Sequence, residues 1–184
     1  MTPPIQSRGI TGVLTLPATK PRALSIHALL LITAAVVLPA VAHLTGISVR
    51  HLLPMHWPVL LVGLCYGWRS GLVVGLAAPS LSYLLSGMPY PVMIPAMTVE
   101  LATYGALAGL FRERFELNGF VAILLAILGG RLVFIATVAV TGATSDALPV
   151  YLAAALAPGL PAALAQIGLL PPAAAWWVRR ETRA

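Results

Sequence analysis

From Gly119 to Thr141 the chain reads GFVAILLAILGGRLVFIATVAVT, with Arg131 as its single charge. Wound into a helix at a 1.5 Å rise per residue, that run spans roughly 30 Å, the depth of a bilayer's hydrocarbon. The rest of the chain has the same character. Only 9% of its 184 residues are charged and 59% are hydrophobic, with a mean hydropathy of +0.94. A soluble domain carries about 25% charged residues. This chain has too few to solvate a globular surface, so its class is an all-α integral membrane protein.

Six apolar segments are expected, making a six-transmembrane-helix bundle. They run over 23–44, 55–66, 71–85, 91–111, 119–141 and 149–178. The second and third are short, either thin spans or a re-entrant pair packed against protein. Residues 1–22 and 179–184 then form tails flanking a membrane domain over 23–178. Lys20, Arg22 and the Ala40-Val41-Ala42 step resemble a signal peptide. The apolar run between them is long for that, and it is read as a span.

Charge asymmetry sets the orientation. With both termini cytoplasmic, the inner side holds Arg8, Lys20, Arg22, Arg69, Arg112, Arg114, Arg179, Arg180 and Arg183. The outer side holds only Arg50, and Arg131 lies within the fifth segment. That is a strong positive-inside signal, and it places the chain in the cell (cytoplasmic) membrane. It also accounts for the net charge of +6 without a nucleic-acid partner. Leu53-Pro54-Met55-His56-Trp57-Pro58 falls at the outer face in this arrangement.

Small residues predict close helix packing: Gly63-x-x-x-Gly67, Gly71-x-x-x-Gly75 and Gly105-x-x-x-Gly109, with Ala122-x-x-x-Ala126 and Ala153-x-x-x-Ala157. Such pairs let helix backbones approach in lipid. Pro158, Pro161, Pro171 and Pro172 predict a bent sixth segment.

Two ionisable groups, Glu100 and Arg131, fall near the middle of the fourth and fifth segments. At that depth a charge is costly and marks function by default. The pair either fixes helix register or contacts a solute. Met93, Met97, Glu100 and Tyr104 recur on one helix face, a stripe that is either core or an adaptable pocket. The loop before them, Ser86-Gly87-Met88-Pro89-Tyr90-Pro91, suits a lid.

Catalytic and energy-coupling motifs are missing from the sequence. It contains no GxxxxGK[ST] phosphate loop, no HExxH and no GxSxG. A non-enzymatic protein without a cofactor is expected, and uphill movement of a solute would need a partner or an ion gradient. The single cysteine, Cys65, rules out an internal disulfide.

The blocks LPMHWPVLLVG, SGMPYP, ELATYG, GGRLVF and PGLPAALAQ, in this order, resemble the substrate-binding S components of energy-coupling factor (ECF) transporters. The similarity covers about 53–172. It implies a six-helix protein that binds a vitamin-like micronutrient near its outer face. It also implies partners: a membrane T component and two cytoplasmic ATPase subunits. Carried over by position, the substrate-binding residues are His56 and Trp57, Met88 and Tyr90, then Met93, Met97, Glu100 and Tyr104, and Arg131. Gln166 matches the pattern at a depth toward the inner half. One feature departs from the family: no Ala-x-x-x-Ala pair lies in the first segment, where many S components dock to the T component.

Two other functions stay open at this point. Met55, His56, Met88 and Cys65 offer donors for a transition metal or metal chelate. A structural or regulatory membrane subunit would use the Glu100–Arg131 pair for architecture alone.

Overall fold

The structure is a computed structural model, and it describes residues 15–18, 21–44, 49–142 and 147–183. Most of the expected N-terminal tail lies outside the described residues. Every regular element among the described residues is helical.

The first segment is continuous but not uniform. Helix α1 (Pro21–Ile32) passes through a π-helical stretch (Thr33–Val37) into α2 (Leu38–Leu44). A short α3 (Val49–Leu52) follows, and then α4 (His56–Tyr66). Helix α4 has 11 residues, so it rises only about 16 Å. Gly67 ends it at φ 84°, a backbone region that glycine adopts without penalty.

The third segment is longer than hydropathy predicts. Helix α5 (Trp68–Ser86) has 19 residues, because Trp68, Arg69 and Ser70 extend it toward Gly67. Gly87, left-handed at φ 71°, closes it by donating its N–H to the Tyr83 carbonyl. After a 3₁₀ turn over Pro91–Met93 comes α6 (Ile94–Glu113). Helix α7 (Gly119–Thr141) has the expected bounds. The Asn118 side chain accepts the Phe120 N–H at 2.9 Å to start it. The sixth segment breaks at Pro158, into α8 (Leu148–Leu156), a 3₁₀ turn (Ala157–Gly159) and α9 (Leu160–Arg183), while Pro171 and Pro172 lie inside an unbroken α9. Helix α9 continues through the basic residues expected to form the C-terminal tail.

Among the described residues three helical stretches are long and apolar enough to cross a membrane: Pro91–Glu113, Gly119–Thr141 and Pro149–Arg183. Their outward faces are apolar. On α7, Leu124, Leu128 and Leu132 are exposed while Ala122, Ala126 and Gly130 face inward.

The core of the bundle is α4, α5 and α6. Helices α5 and α6 meet backbone to backbone where Gly71 faces Gly105, and a Cβ on either would overlap the other's main chain. Gly75 makes the same approach to Leu101, and Gly109 to Trp68. The two GxxxG pairs of α5 and α6 therefore pack against each other, which no longer side chain would allow.

One end of the bundle is tied by polar contacts between distant parts of the chain. Arg22 pairs with Glu181 at 2.9 Å, joining the start of α1 to the end of α9. The Trp177 indole donates to the Tyr66 hydroxyl at 3.1 Å, and His27 stacks edge-on against Tyr66. The Trp68 N–H donates to Glu113. Arg22, Arg69, Arg112, Arg114, Arg179, Arg180 and Arg183 belong to these same helix ends.

Candidate functional site

In the other half of the bundle, α2 and α4 to α8 line an open cavity of about 450 Å³. One polar atom organises its floor. Glu100 Oε1 accepts from Arg131 Nη1 at 2.9 Å and from the Tyr104 hydroxyl at 3.0 Å, and His56 Nε2 stands 3.9 Å away. Glu100 is 3% exposed, so this carboxylate is held by protein and not by solvent.

Local sequence explains how these groups meet. Gly130 lies flat against the Tyr104 ring, where a Cβ would come within 2.5 Å of two ring carbons. That contact brings α7 close enough for the next residue, Arg131, to reach Glu100. Gly159 receives the far side of the guanidinium, 3.0 Å from where its Cβ would stand. The Gly-Gly-Arg and Pro-Gly steps thus frame one ion pair.

His56 arrives by a tight turn. Leu53 adopts φ 46°, a left-handed conformation unusual for a leucine, and its carbonyl accepts the His56 N–H at 3.0 Å. The Trp57 indole donates to the Leu52 carbonyl at 2.9 Å and anchors the end of α3. The turn drops His56 to the level of Glu100, nearly two turns into α6. His56 is 5% exposed, so the residue expected at the outer face is packed inside the bundle and not on its surface. Hydropathy measures a segment's length but not the depth at which it begins.

Seven of the nine residues singled out in the sequence line the cavity: His56, Met88, Tyr90, Met93, Met97, Glu100 and Arg131. Trp57 and Tyr104 do not. Trp57 packs against the core, and Tyr104, 1% exposed, supports Glu100 from below. Gln166 is buried but is not part of the cavity wall, and its Nε2 has no hydrogen-bond partner. Cys65 is also buried and also lies away from the cavity, so it leaves the donor set of Met55, His56 and Met88. Among the described residues no group of three His, Cys, Asp or Glu side chains converges.

The cavity also holds residues that sequence reasoning passed over. Phe134 follows Arg131 by three positions on α7, a spacing that puts both on one face. Tyr151 on α8 reaches Met93, with its hydroxyl 3.5 Å from the sulfur. Ser82 on α5 lines the wall and is fully buried. Leu53, Pro54 and Met55 from the turn and Pro89 from the α5–α6 loop complete much of the rest.

A helical membrane bundle with a ligand-sized, mostly apolar cavity around a few convergent polar groups is a small-molecule-binding membrane protein. Its family is specific: the model for the ECF transporter substrate-specific component matches residues 24–177, and the chain belongs to that family. Neither the curated proteins nor the solved structures yield a match. Membership makes the chain a multi-pass membrane protein and the substrate-binding subunit of an ECF transporter, a role of binding and not of catalysis.

Proposed function

We propose that this protein captures a vitamin or related micronutrient in the cavity around Glu100 and hands it to partner subunits for uptake. The observation that carries this reading is the cavity itself. It is apolar on most sides, and a buried carboxylate paired with a part-buried guanidinium forms its floor. His56, Met88, Tyr90, Met93, Met97, Glu100 and Arg131 would meet the solute. Tyr104 and Trp57 would hold that wall in place.

The six apolar segments would all cross or enter the membrane, with both termini cytoplasmic in the cell (inner) membrane. The arginine-rich end of the bundle then faces the cytoplasm, in keeping with the positive-inside bias. The cavity lies toward the outside, under the Met88–Tyr90 loop. A T component and two cytoplasmic ATPases would supply the energy, since the chain lacks a phosphate loop. Docking to the T component would use small residues other than an Ala-x-x-x-Ala pair in the first segment.

Purified protein in lipid nanodiscs, screened by native mass spectrometry against the water-soluble vitamins, should retain one of them without ATP. Accumulation of that vitamin in cells should require the ATPase partners. A screen in which none is retained would overturn the vitamin reading.

A further inference from the structure

Among the described residues, both ring nitrogens of His56 and the hydroxyl of Ser82 are buried without a hydrogen-bond partner. His56 is 5% exposed and Ser82 is 0% exposed. Leaving such a group unpaired is costly, and native structures rarely do so without a reason. Here the three atoms belong to residues that line one cavity. Neutral imidazole offers one donor and one acceptor, and a hydroxyl offers both. The wall therefore presents unused hydrogen-bonding capacity of both kinds.

Charge narrows the occupant further. Glu100 and Arg131 are the carboxylate and the guanidinium of the lining, and they are bonded to each other at 2.9 Å. A carboxylate on the solute would compete with Glu100 for Arg131. An ammonium group would compete with Arg131 for Glu100. The pair is already neutral and joined through Arg131 Nη1 alone, so either solute charge would enter a low-dielectric site with no counter-charge left to balance it, a heavy penalty. A neutral head leaves the pair intact and can still fill the open positions on His56 and Ser82. Around that corner the walls are Met55, Met93, Met97, Phe134 and Tyr151, suited to a flat or short apolar body.

We propose that the solute carries an uncharged, amide-like head with a donor beside an acceptor, and that His56 and Ser82 bind this head while the Glu100–Arg131 pair stays closed. The head class covers carboxamides, lactams and cyclic ureides. Ser82 is then a specificity residue. The proposal rests on reading the cavity as the substrate site.

Matched probe triplets test it on the full chain in nanodiscs: nicotinamide, nicotinate and 3-(aminomethyl)pyridine, then indole-3-acetamide, indole-3-acetate and tryptamine. Binding is read by calorimetry and melting temperature. The amide of a binding triplet should bind at least about 10-fold more tightly than its acid and its amine, because only the charged forms bring an unbalanced charge to the neutral pair. Ser82→Ala should weaken the amide about 5-fold, the loss of one hydrogen bond. It should not lower the melting temperature of the free protein, since its hydroxyl has no partner to lose. An acid or amine that binds as tightly as its amide overturns the neutral head and leaves the cavity reading standing. Unchanged amide affinity in Ser82→Ala overturns the role of Ser82. If no probe binds and the vitamin screen retains only a solute with a charged head, the neutral head is overturned and the cavity reading stands; if that screen also retains nothing, both fall.

Discussion

His56 Nε2 stands 3.9 Å from Glu100 Oε1, although the two residues lie on different helices and Glu100 is nearly two turns into its own. The histidine belongs to a block that sequence alone sets at the membrane surface. The contact shows that α4 begins inside the bundle, carried there by the turn at Leu53. His56 therefore lines the cavity beside Glu100.

The Arg131–Glu100 bond predicts strong thermodynamic coupling. Glu100→Gln leaves the guanidinium without its anion, and Arg131→Gln leaves the carboxylate without its cation. Each single change should lower stability by about 3 kcal/mol, the low end for a broken buried pair. The low end applies because the Arg131 side chain keeps 18% of its surface exposed. The double variant should melt above either single one. Thermal unfolding in nanodiscs measures all three. Additive losses would mean that the pair contributes nothing jointly.

Gly71 and Gly105 predict a sharp contrast with Gly168. A methyl group on Gly71 would overlap the Gly105 backbone, whereas nothing lies within 4 Å of a Cβ at Gly168. Gly71→Ala should lower stability by about 2 kcal/mol or prevent folding. Gly168→Ala, in the interior of α9, should raise stability by up to about 1 kcal/mol from helix propensity alone. Fluorescence-detected size exclusion after a heating series separates the two outcomes.

Parts of this architecture are legible in the sequence because the signal is local. Helix α7 has the expected bounds, since Asn118 caps one end and Gly142 turns left-handed at the other. The Met93–Met97–Glu100 stripe needs only helical periodicity. The site's remaining features depend on tertiary placement. No local signal says that Leu53 takes a positive φ, so the depth of His56 is hidden. Ser82 looks like any small polar residue in a helix until α5 is packed on α6. Tyr104 shares a face with Glu100, yet it falls one turn too deep to reach the cavity.

Gly159 predicts a separable effect on the site. A Cβ there would stand 3.0 Å from both Arg131 Nη2 and Leu53 Cδ1. Both are side-chain ends, so they can shift by a few tenths of an ångström. Gly159→Ala should therefore cost only about 1 kcal/mol of stability. The shift falls on the ion pair and on the turn that delivers His56, so binding of the solute retained in the vitamin screen should fall by more than stability does. Calorimetry paired with thermal unfolding gives the comparison, and equal losses would argue for a purely structural glycine.

The two ends of the bundle predict opposite chemical access in living cells. Tyr90, 67% exposed, borders the cavity, while Arg180 is exposed at the arginine-rich end. The native Cys65 is 1% exposed, so the wild-type chain should resist labelling and serve as its own control. Tyr90→Cys should react with a membrane-impermeant maleimide on intact cells. Arg180→Cys should react only after the membrane is opened. The reverse pattern would turn the cavity toward the cytoplasm and rule out capture from outside. Labelling of both on intact cells would contradict a cytoplasmic C-terminus, because Arg180 lies in the last turns of α9 and beside the Arg22–Glu181 tie.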